Sequence, residues 1–289
     1  MDESSTLKKP RPASTVIMAR ENEGELQIYL LKRSGRSKFM PGYYVFPGGT
    51  VDNEDKDPAL WKGQVDEEED VAYGVSAIRE TFEEAGVFLA FRNEQTAGDL
   101  ERICDGRIAN GLPEGWLREL VISEGWILAF SRLKRWAHWI TPALMPRRFD
   151  TRFFLVFMSQ DQECIPDKKE ATHGIWVNPK NGLAGNLRGE IPLSPPTVVT
   201  LHELLSYLNL QDLKKEVESR PWREPLRPRL IPLPQGAIIL EPWDPMIDQE
   251  VEIDPKGLEN AILPVGKPFS RLWHHEGLWR PVGNSPQFT

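Results

Sequence analysis

The sequence predicts an α/β fold, because runs typical of β-strands alternate with segments whose apolar residues recur at helical spacing. Strand-type runs rich in β-branched and aromatic residues include STVIMAR near the N-terminus and TRFFLVFMS beyond the middle of the chain. The clearest helical segment repeats apolar residues at Val71, Val75, Ile78 and Phe82, which is the pattern of an amphipathic helix. With 289 residues, of which 40% are hydrophobic, the chain can form one large core or a core with an extension.

The first part of the chain predicts three strands followed by one helix. Residues 1–12 are polar and end in Lys-Pro-Arg-Pro, which is typical of a disordered tail. STVIMAR and LQIYLLKR predict two strands joined by a turn at ENEGE, and YYVFPGG predicts a third strand that runs into a glycine turn. Residues 52–68 form an acidic insertion, for which we expect a surface loop with little role in the core. The helix follows from about Val71 to Ala85, and Gly86 stands where a left-handed C-cap belongs.

The second part predicts a helical insertion, more strands and a change of composition. The insertion covers about residues 92–130, and WAHWIT, TRFFLVFMS and GIWVNP predict strands after it. PPTVVTLHELLSYL begins with prolines suited to the first turn of a helix. Beyond residue 218 the chain becomes proline-rich. We therefore assign residues 13–218 to the main domain and residues 219–289 to a Pro-rich C-terminal extension.

Composition narrows the class of protein. A formal net charge of -8 argues against a general nucleic-acid binder. Two cysteines, Cys104 and Cys164, are too few for a disulfide framework and fit a reducing compartment. The sequence shows neither a secretory signal nor a run of about 18 apolar residues that could span a membrane, and it does not end in a Ser-Lys-Leu type address. We expect a cytoplasmic protein that binds neither nucleic acid nor membrane, and the composition leaves its oligomeric state open.

Three carboxylates are crowded on one face of the predicted helix. Glu80, Glu83 and Glu84 fall within an arc of roughly 100°, and Arg79 lies one turn before Glu83 on the same side. Most charged helical faces are simply solvated, but such faces usually mix both signs of charge. Hard divalent cations prefer several oxygen ligands at one point, and a bound Mg²⁺ would relieve the repulsion between the glutamates. The pattern therefore favours a metal site.

The sequence resembles a known family at two places, FPGG at residues 46–49 and RETFEEAGV at residues 79–87. Together they look like the two ends of the Nudix box, G-x5-E-x7-R-E-U-x-E-E-x-G-U, where U is a bulky apolar residue. The second half matches at every fixed position. The first half departs from the pattern, because 30 positions separate Gly49 from Arg79 where the family has 14. The box glutamate expected eight positions before the arginine falls on Val71, so it is missing or supplied by a neighbour such as Glu69 or Asp70.

Three further stretches resemble the Nudix branch that includes mammalian peroxisomal coenzyme A diphosphatases, which also has an interrupted box. They are RSKFMPGYYVFPGG, PRRFDTRFFLVF and IPLSPPTVVTL. The resemblance implies a Nudix fold, in which a mixed sheet is sandwiched between helices. It also implies hydrolysis of a nucleoside diphosphate linked to another moiety, with Mg²⁺ or Mn²⁺ as the cofactor.

The resemblance also implies roles for individual residues. Glu83 and Glu84 would ligate the metal, and Glu80 would be a further ligand or the general base. The Gly49 carbonyl is the usual backbone ligand, and Arg79 would hold the glutamates in place. Some Nudix enzymes take the base from a later loop instead. Glu170, just before the GIWV strand, is the candidate for that alternative.

Two windows without acidic residues support a phosphorylated small-molecule substrate. Residues 26–51 contain Lys32, Arg33, Arg36 and Lys38, and residues 125–149 contain five more cations. Arginine forks match phosphate oxygens. Some of these cations could instead flank strands or pair with the acidic insertion. Arg33, Arg36 and Arg148 are the predicted substrate-binding residues.

The predicted substrate is coenzyme A or acyl-coenzyme A, with 3′,5′-ADP and (acyl-)phosphopantetheine as the products. Alternatives on the same fold are hydrolysis of ADP-ribose, nucleotide sugars or dinucleoside polyphosphates, or an isomerase that leaves the diphosphate intact. A further alternative is a non-catalytic ligand-sensing module. Such sensors tend to lose box carboxylates, whereas all three are present here.

Overall fold

The computed structural model describes residues 8–65, 70–93, 96–158, 162–251, 253 and 255–283. The strands in chain order are β1 Arg11–Asn22, β2 Glu25–Arg33, β3 Tyr44–Val45, β4 Gly48–Thr50, β5 Ala90–Phe91, β6 Ile127–Leu128, β7 Lys134–Ile140, β8 Phe149–Phe157, β9 Ala171–Val177, β10 Arg229–Pro232, β11 Ala237–Leu240, β12 Arg271–His275 and β13 Leu278–Val282. The α-helices are α1 Val71–Ala85, α2 Ala97–Asn110, α3 Trp116–Ile122, α4 Pro179–Arg188, α5 Pro195–Leu204, α6 Leu210–Val217 and α7 Pro255–Leu258.

A seven-stranded mixed sheet forms the centre of the molecule. Its main path runs β3-β2-β1-β8-β7, while β4 pairs with β1 and β9 pairs with β2. The pairing of β1 with β8 is parallel, and the other pairings of this sheet are antiparallel. The predicted α/β class with a mixed sheet is therefore confirmed. The predicted tail is too long, because Arg11 and Pro12 already belong to β1; residues 1–7 lie outside the described part.

Both faces of the central sheet are buried, which explains why its strands are almost continuously apolar. Successive side chains of a strand point to opposite faces. Val16 and Met18 of β1 accordingly join the core beneath α1 and α3, whereas Ile17 and Ala19 join the core on the other face. Helices α4, α5 and α6 cover that second face. The predicted arrangement of a sheet between helices is thus observed.

Helix α1 has the predicted bounds and the predicted buried face. Val75, Ile78 and Phe82 are fully buried against the sheet. The helix ends at Ala85, and Gly86 adopts the left-handed conformation with φ of 75°, so its N–H can bond to the Phe82 carbonyl. A side chain at this φ would be strained, which is why glycine suits the position. The helix therefore presents Arg79 and the three glutamates from a rigid support.

The acidic insertion is not the surface loop that its composition predicts. Short 3-10 helices at Glu54–Lys56 and Pro58–Leu60 order its first half. Leu60 and Trp61 are buried in the core beneath α1, and Asp55 is only 1% exposed. The overall acidic composition does not predict this packing, because only a few residues of the mostly polar segment are buried. Residues 66–69 lie outside the described part of the chain.

The two remaining predicted segments are both built into the fold. The helical insertion contains α2 and α3, and Trp116 and Leu117 of α3 pack against the core. The C-terminal extension forms a second, antiparallel sheet in the order β10-β11-β12-β13. Its residues Ile239, Leu272 and Trp279 share a core with the central sheet and α4–α6. Among the described residues, no helix has the length and apolar character needed to cross a membrane.

Candidate active site

Arg79 lies at the centre of a buried network of carboxylates. Its Nε and Nη2 atoms donate to the two carboxylate oxygens of Asp55, at 2.8 and 2.9 Å. Its Nη1 atom donates to Glu80 Oε1 at 2.9 Å and to Glu83 Oε2 at 3.0 Å, and Nη2 also reaches the Thr50 carbonyl. The guanidinium therefore ties the glutamates of α1 to the insertion and to the end of β4. This geometry is compatible with the positioning role that the resemblance implies for Arg79, which stays a prediction.

Asp55 occupies the place of the missing box glutamate. The sequence pointed to Glu69 or Asp70 as substitutes, and for Asp70 this is wrong. Its carboxylate accepts a hydrogen bond from Arg152 Nε at 2.9 Å instead. Glu69 lies outside the described residues. Asp55 suits the role because it is buried and forms a two-pronged ion pair with Arg79.

Gly48 and Gly49 of strand β4 bring the backbone close to the carboxylates of α1. A Cβ atom at Gly49 would overlap the carboxylate of Glu80, so a larger residue here would displace that carboxylate from Arg79. The Gly48 N–H donates to Glu84 Oε2 at 2.8 Å. The glycines that were predicted to form a turn therefore belong to a strand, β4, which pairs with β1 and contacts α1.

The carboxylates of α1 are held in a low-dielectric environment. Burial raises the pKa of Glu84 well above its usual value, and the nearby Glu80 raises it further. Burial also raises the pKa of Glu80, although the positive charge of Arg79 opposes this shift. Glu83 is the most accessible of the three, and its Oε1 accepts a hydrogen bond from Trp116 Nε1 at 2.8 Å. A cation placed beside these groups would stabilise their charged forms.

The donor atoms suit a hard divalent cation in their chemistry. In the part of the chain that the structure describes, no three His, Cys, Asp or Glu side chains converge on a ready-made metal site. Glu80 and Glu83 face Arg79, and Glu84 faces the Gly48 N–H. A carboxylate nevertheless has about four lone-pair positions, so a hydrogen-bonded glutamate can still ligate a metal. Glu80, Glu83 and Glu84 therefore fit as candidate ligands, and the Gly49 carbonyl stays a prediction from the resemblance.

A cavity of about 780 Å³ opens beside this network. Gly49, Arg79, Glu80 and Glu83 form part of its wall, while Glu84 is buried against β4 and does not line it. The cavity is large enough for a ligand of nucleotide size. Further lining residues come from the loop after β2, the loop between β7 and β8, the start of α5 and the C-terminal sheet.

The predicted phosphate-binding arginines divide into two groups. Arg33 and Arg36 line the cavity, together with Lys38. Arg33 Nε donates to Ser37 Oγ at 3.1 Å, which braces the loop after β2. Arg148 does not line the cavity, because its guanidinium donates to the Thr141 and Lys8 carbonyls. Its neighbour Arg147, in the loop before β8, lines the cavity instead.

Glu170 also lines the cavity, directly before β9 as predicted. Its side chain is exposed, which leaves its possible role as an alternative base as a prediction. Sequence reasoning missed Asp55, Trp116 and the C-terminal residues Glu241 and Trp279, which contact the network or line the cavity. The one available signal was the empty glutamate position at Val71, which required a carboxylate from elsewhere.

Comparisons with known proteins agree with this geometry. The model of the NUDT19 Nudix domain matches residues 62–204. A protein from Xenopus laevis named acyl-coenzyme A diphosphatase NUDT19 is 24% identical to this chain over an alignment of 348 positions. The alignment covers 93% of this chain and 91% of the relative. The Homo sapiens protein of the same name is 27% identical, with 91% and 84% covered. A NUDIX hydrolase structure from Alicyclobacillus acidocaldarius has a TM-score of 0.61 at 24% identity and covers 75% of this chain and 100% of its own, which supports the fold.

Proposed function

The chain belongs to the Nudix hydrolase superfamily, and on this premise we propose that it hydrolyses the diphosphate of coenzyme A or acyl-coenzyme A. The products are 3′,5′-ADP and phosphopantetheine or its acyl form. The names of the Xenopus laevis and Homo sapiens relatives support this choice among nucleoside diphosphate substrates.

The observation that carries the proposal is the composition of the 780 Å³ cavity. Its wall joins Glu80 and Glu83 of α1 to a set of cations from other elements and loops, namely Arg11, Arg33, Arg36, Lys38, Arg147 and Lys169. Coenzyme A carries a diphosphate and a further phosphate on its adenosine ribose. A cluster of cations beside the carboxylates suits a ligand with several phosphates better than one with a diphosphate alone.

Each residue of the network has a defined task in this reaction. Asp55 holds Arg79, and Arg79 holds Glu80 and Glu83. Glu83, Glu84 and the Gly49 carbonyl would hold Mg²⁺ or Mn²⁺, with Glu80 as either a further ligand or the general base. When bound, such a metal polarises the diphosphate and lowers the pKa of the attacking water. Glu80, or alternatively Glu170, accepts the proton of that water. Arg33 and Arg36 bind phosphate oxygens.

The decisive experiment is hydrolysis of coenzyme A by the full chain with Mg²⁺ or Mn²⁺, with the products identified by mass spectrometry. We expect 3′,5′-ADP and phosphopantetheine, and we expect no cleavage with a chelator. The variant Glu84→Gln tests the metal role of this residue, since the amide keeps the size of the side chain and removes its charge. We expect it to keep the fold and to lose most of the activity. A Gln variant that kept more than about half of the rate at saturating metal would contradict the metal role of Glu84. Cleavage of ADP-ribose or nucleotide sugars without cleavage of coenzyme A would overturn the proposed substrate.

A further inference from the structure

The C-terminal sheet contributes one wall of the cavity beside the box carboxylates. The lining residues from this part of the chain are Pro228, Ile239, Glu241 and Trp279. Two of them, Ile239 and Trp279, are anchored in the core shared with the central sheet, so this wall is a fixed part of the fold. The cavity is therefore bounded on one side by the Nudix elements and on another by residues outside the Nudix box.

Glu241 is the unusual residue of this wall. It directly follows β11, its residue surface is 1% exposed, and its Oε2 atom has no hydrogen-bond partner. Burial raises the pKa of Glu241 to about 8. A buried polar atom without a partner costs free energy. A ligand in the cavity that forms a hydrogen bond with this atom would remove that cost. Glu241 therefore has a hydrogen-bonding capacity that the protein itself does not use.

The neighbouring acid Asp244 shows the contrasting, structural case. It is equally buried, but its carboxylate accepts hydrogen bonds from Ser270 Oγ at 2.6 Å and from Arg271 Nε at 2.8 Å. Asp244 does not line the cavity, whereas Glu241 does. Two buried acids three residues apart thus differ in both respects, which argues that Glu241 does more than fill space in the core.

A second polar atom without a partner belongs to the same cavity. Trp139 lies on β7, its indole is buried, and its Nε1 donor has no acceptor. Trp136 on the same strand also has an unpartnered Nε1, but it does not line the cavity. The cavity wall therefore offers one N–H donor and one carboxyl group, which together complement a ligand that carries both an acceptor and a donor. A secondary amide is such a group.

Charge decides which half of the substrate this wall faces. The C-terminal residues among those that line the cavity include no cation. All of its lining cations come from earlier parts of the chain, namely Arg11, Arg33, Arg36, Lys38, Arg79, Arg147 and Lys169. An acid would repel phosphates when ionised. In coenzyme A the nucleoside half carries the extra phosphate, whereas the pantetheine arm is uncharged and contains two amides. The C-terminal wall therefore suits the uncharged pantetheine arm better than the nucleoside half. Ile239 and Trp279 add apolar surface to this wall.

We propose that the C-terminal sheet forms the binding site for the uncharged, amide-bearing arm of the substrate, with Glu241 and Trp139 as its polar contacts. This inference rests on the proposed function, because it assigns one half of that substrate to a defined wall. It gives residues beyond the Nudix box a part in substrate selection.

The test measures how each product half binds to the full-length protein. Calorimetric titrations of 4′-phosphopantetheine and of 3′,5′-ADP are compared for the wild type, Glu241→Leu and Glu241→Gln. Glu241→Leu should weaken 4′-phosphopantetheine binding about tenfold and leave 3′,5′-ADP binding unchanged. Glu241→Gln should retain most of the affinity, since an amide can still pair with an amide. Glu250→Leu, at an exposed position of the same extension, is the matched control and should change neither affinity.

The same titrations are made for Trp139→Phe, with Trp136→Phe as its control. Only the first should weaken 4′-phosphopantetheine binding. Thermal unfolding checks that Glu241→Leu remains folded, and its Tm should be unchanged or higher because an unpartnered buried carboxyl is removed. Weakened 3′,5′-ADP binding, or unchanged binding of both halves, would overturn the inference. Failure of the wild type to cleave coenzyme A would refute the proposed function, whereas the binding titrations test the arm site without turnover.

Discussion

At the scale of single residues, the Nudix arginine is held by a carboxylate from outside the regular box. Asp55 lies 24 positions before Arg79, yet it accepts two of the five hydrogen bonds that the guanidinium donates. The interruption of the box therefore does not leave Arg79 without its orienting acid. A buried arginine with aligned acceptors on three sides can keep Glu80 and Glu83 in fixed positions.

We predict that Asp55→Asn lowers kcat at least about tenfold while KM changes little, since Asp55 acts through Arg79 and the glutamates. Asparagine has one acceptor oxygen, and its amide N–H₂ would face a guanidinium donor. The free energy of unfolding should also fall by about 2 kcal/mol. Steady-state kinetics and urea unfolding measure the two effects.

Asp52→Asn is the matched control for this prediction. Asp52 lies in the same insertion, but its side chain is 59% exposed and its oxygen is 3.7 Å from Arg79. Exposed ion pairs contribute little to stability, so this variant should resemble the wild type. Equal kinetics for both variants would show that Asp55 does not position the catalytic carboxylates.

A second prediction at this scale concerns the ribose phosphate of coenzyme A. Arg36 is exposed at the cavity wall, as expected for a group that meets a charged ligand. A charged hydrogen bond contributes about 1.5–3 kcal/mol. The kcat/KM for coenzyme A should therefore exceed that for 3′-dephospho-coenzyme A by about tenfold or more, and Arg36→Ala should shrink this ratio. Arg148→Ala, whose side chain points away from the cavity, should preserve the ratio. Equal rates of the wild type on both substrates would contradict selection of the 3′-phosphate.

At the scale of secondary-structure elements, the acidic insertion behaves as part of the core. Gln64 joins it to β6, because its side-chain oxygen accepts the Leu128 N–H at 3.1 Å. Asp57 joins it to α3 through Arg118 Nε at 3.0 Å. Together with buried Leu60 and Trp61, these contacts fix the position of Asp55. The insertion therefore supports the candidate active site, although its composition predicted a surface loop without such a role.

We predict that Leu60→Ala lowers the free energy of unfolding by about 2–5 kcal/mol, because it removes a fully packed side chain from a buried position. Lys62→Ala, at an exposed position two residues later, should change it by less than about 0.5 kcal/mol. Urea denaturation of both variants provides the comparison. A Leu60 variant as stable as the wild type would restore the view of the insertion as a surface loop.

Elements with strong periodicity could be predicted from the sequence, whereas contacts between distant segments could not. Helix α1 matches its predicted bounds because apolar spacing and a glycine C-cap are local signals. The strands of the central sheet could also be predicted from the sequence, since burial on both faces makes them apolar throughout. The place of Asp55 depends on how the insertion folds back onto α1, and nothing in its local sequence distinguishes it from its acidic neighbours. The same applies to Glu241, whose role depends on how the C-terminal sheet docks.

At the scale of the whole molecule, the predicted boundary at residue 218 does not separate two cores. Leu226 lies next to β7, where its N–H donates to the His138 carbonyl and its carbonyl accepts the Ile140 N–H. Arg220 pairs with Glu203 at 2.6 Å and lies over the Trp136 ring. The change to proline-rich composition thus marks a change in local structure but not the end of the cooperative unit.

We therefore predict that a chain ending at Glu218 does not fold stably, although it retains the entire Nudix box. Loss of the extension would expose the core partners of Ile239, Leu272 and Trp279, each of which contributes about 2 kcal/mol or more on burial. It would also leave β7 without its partner Leu226, as an open edge that favours aggregation. The combined loss of about 6 kcal/mol approaches the whole stability of a typical domain. Circular dichroism on heating should show one transition for the full chain and none for the truncated one. Two separate transitions in the full chain, or a folded truncated chain, would show that the extension is an independent unit.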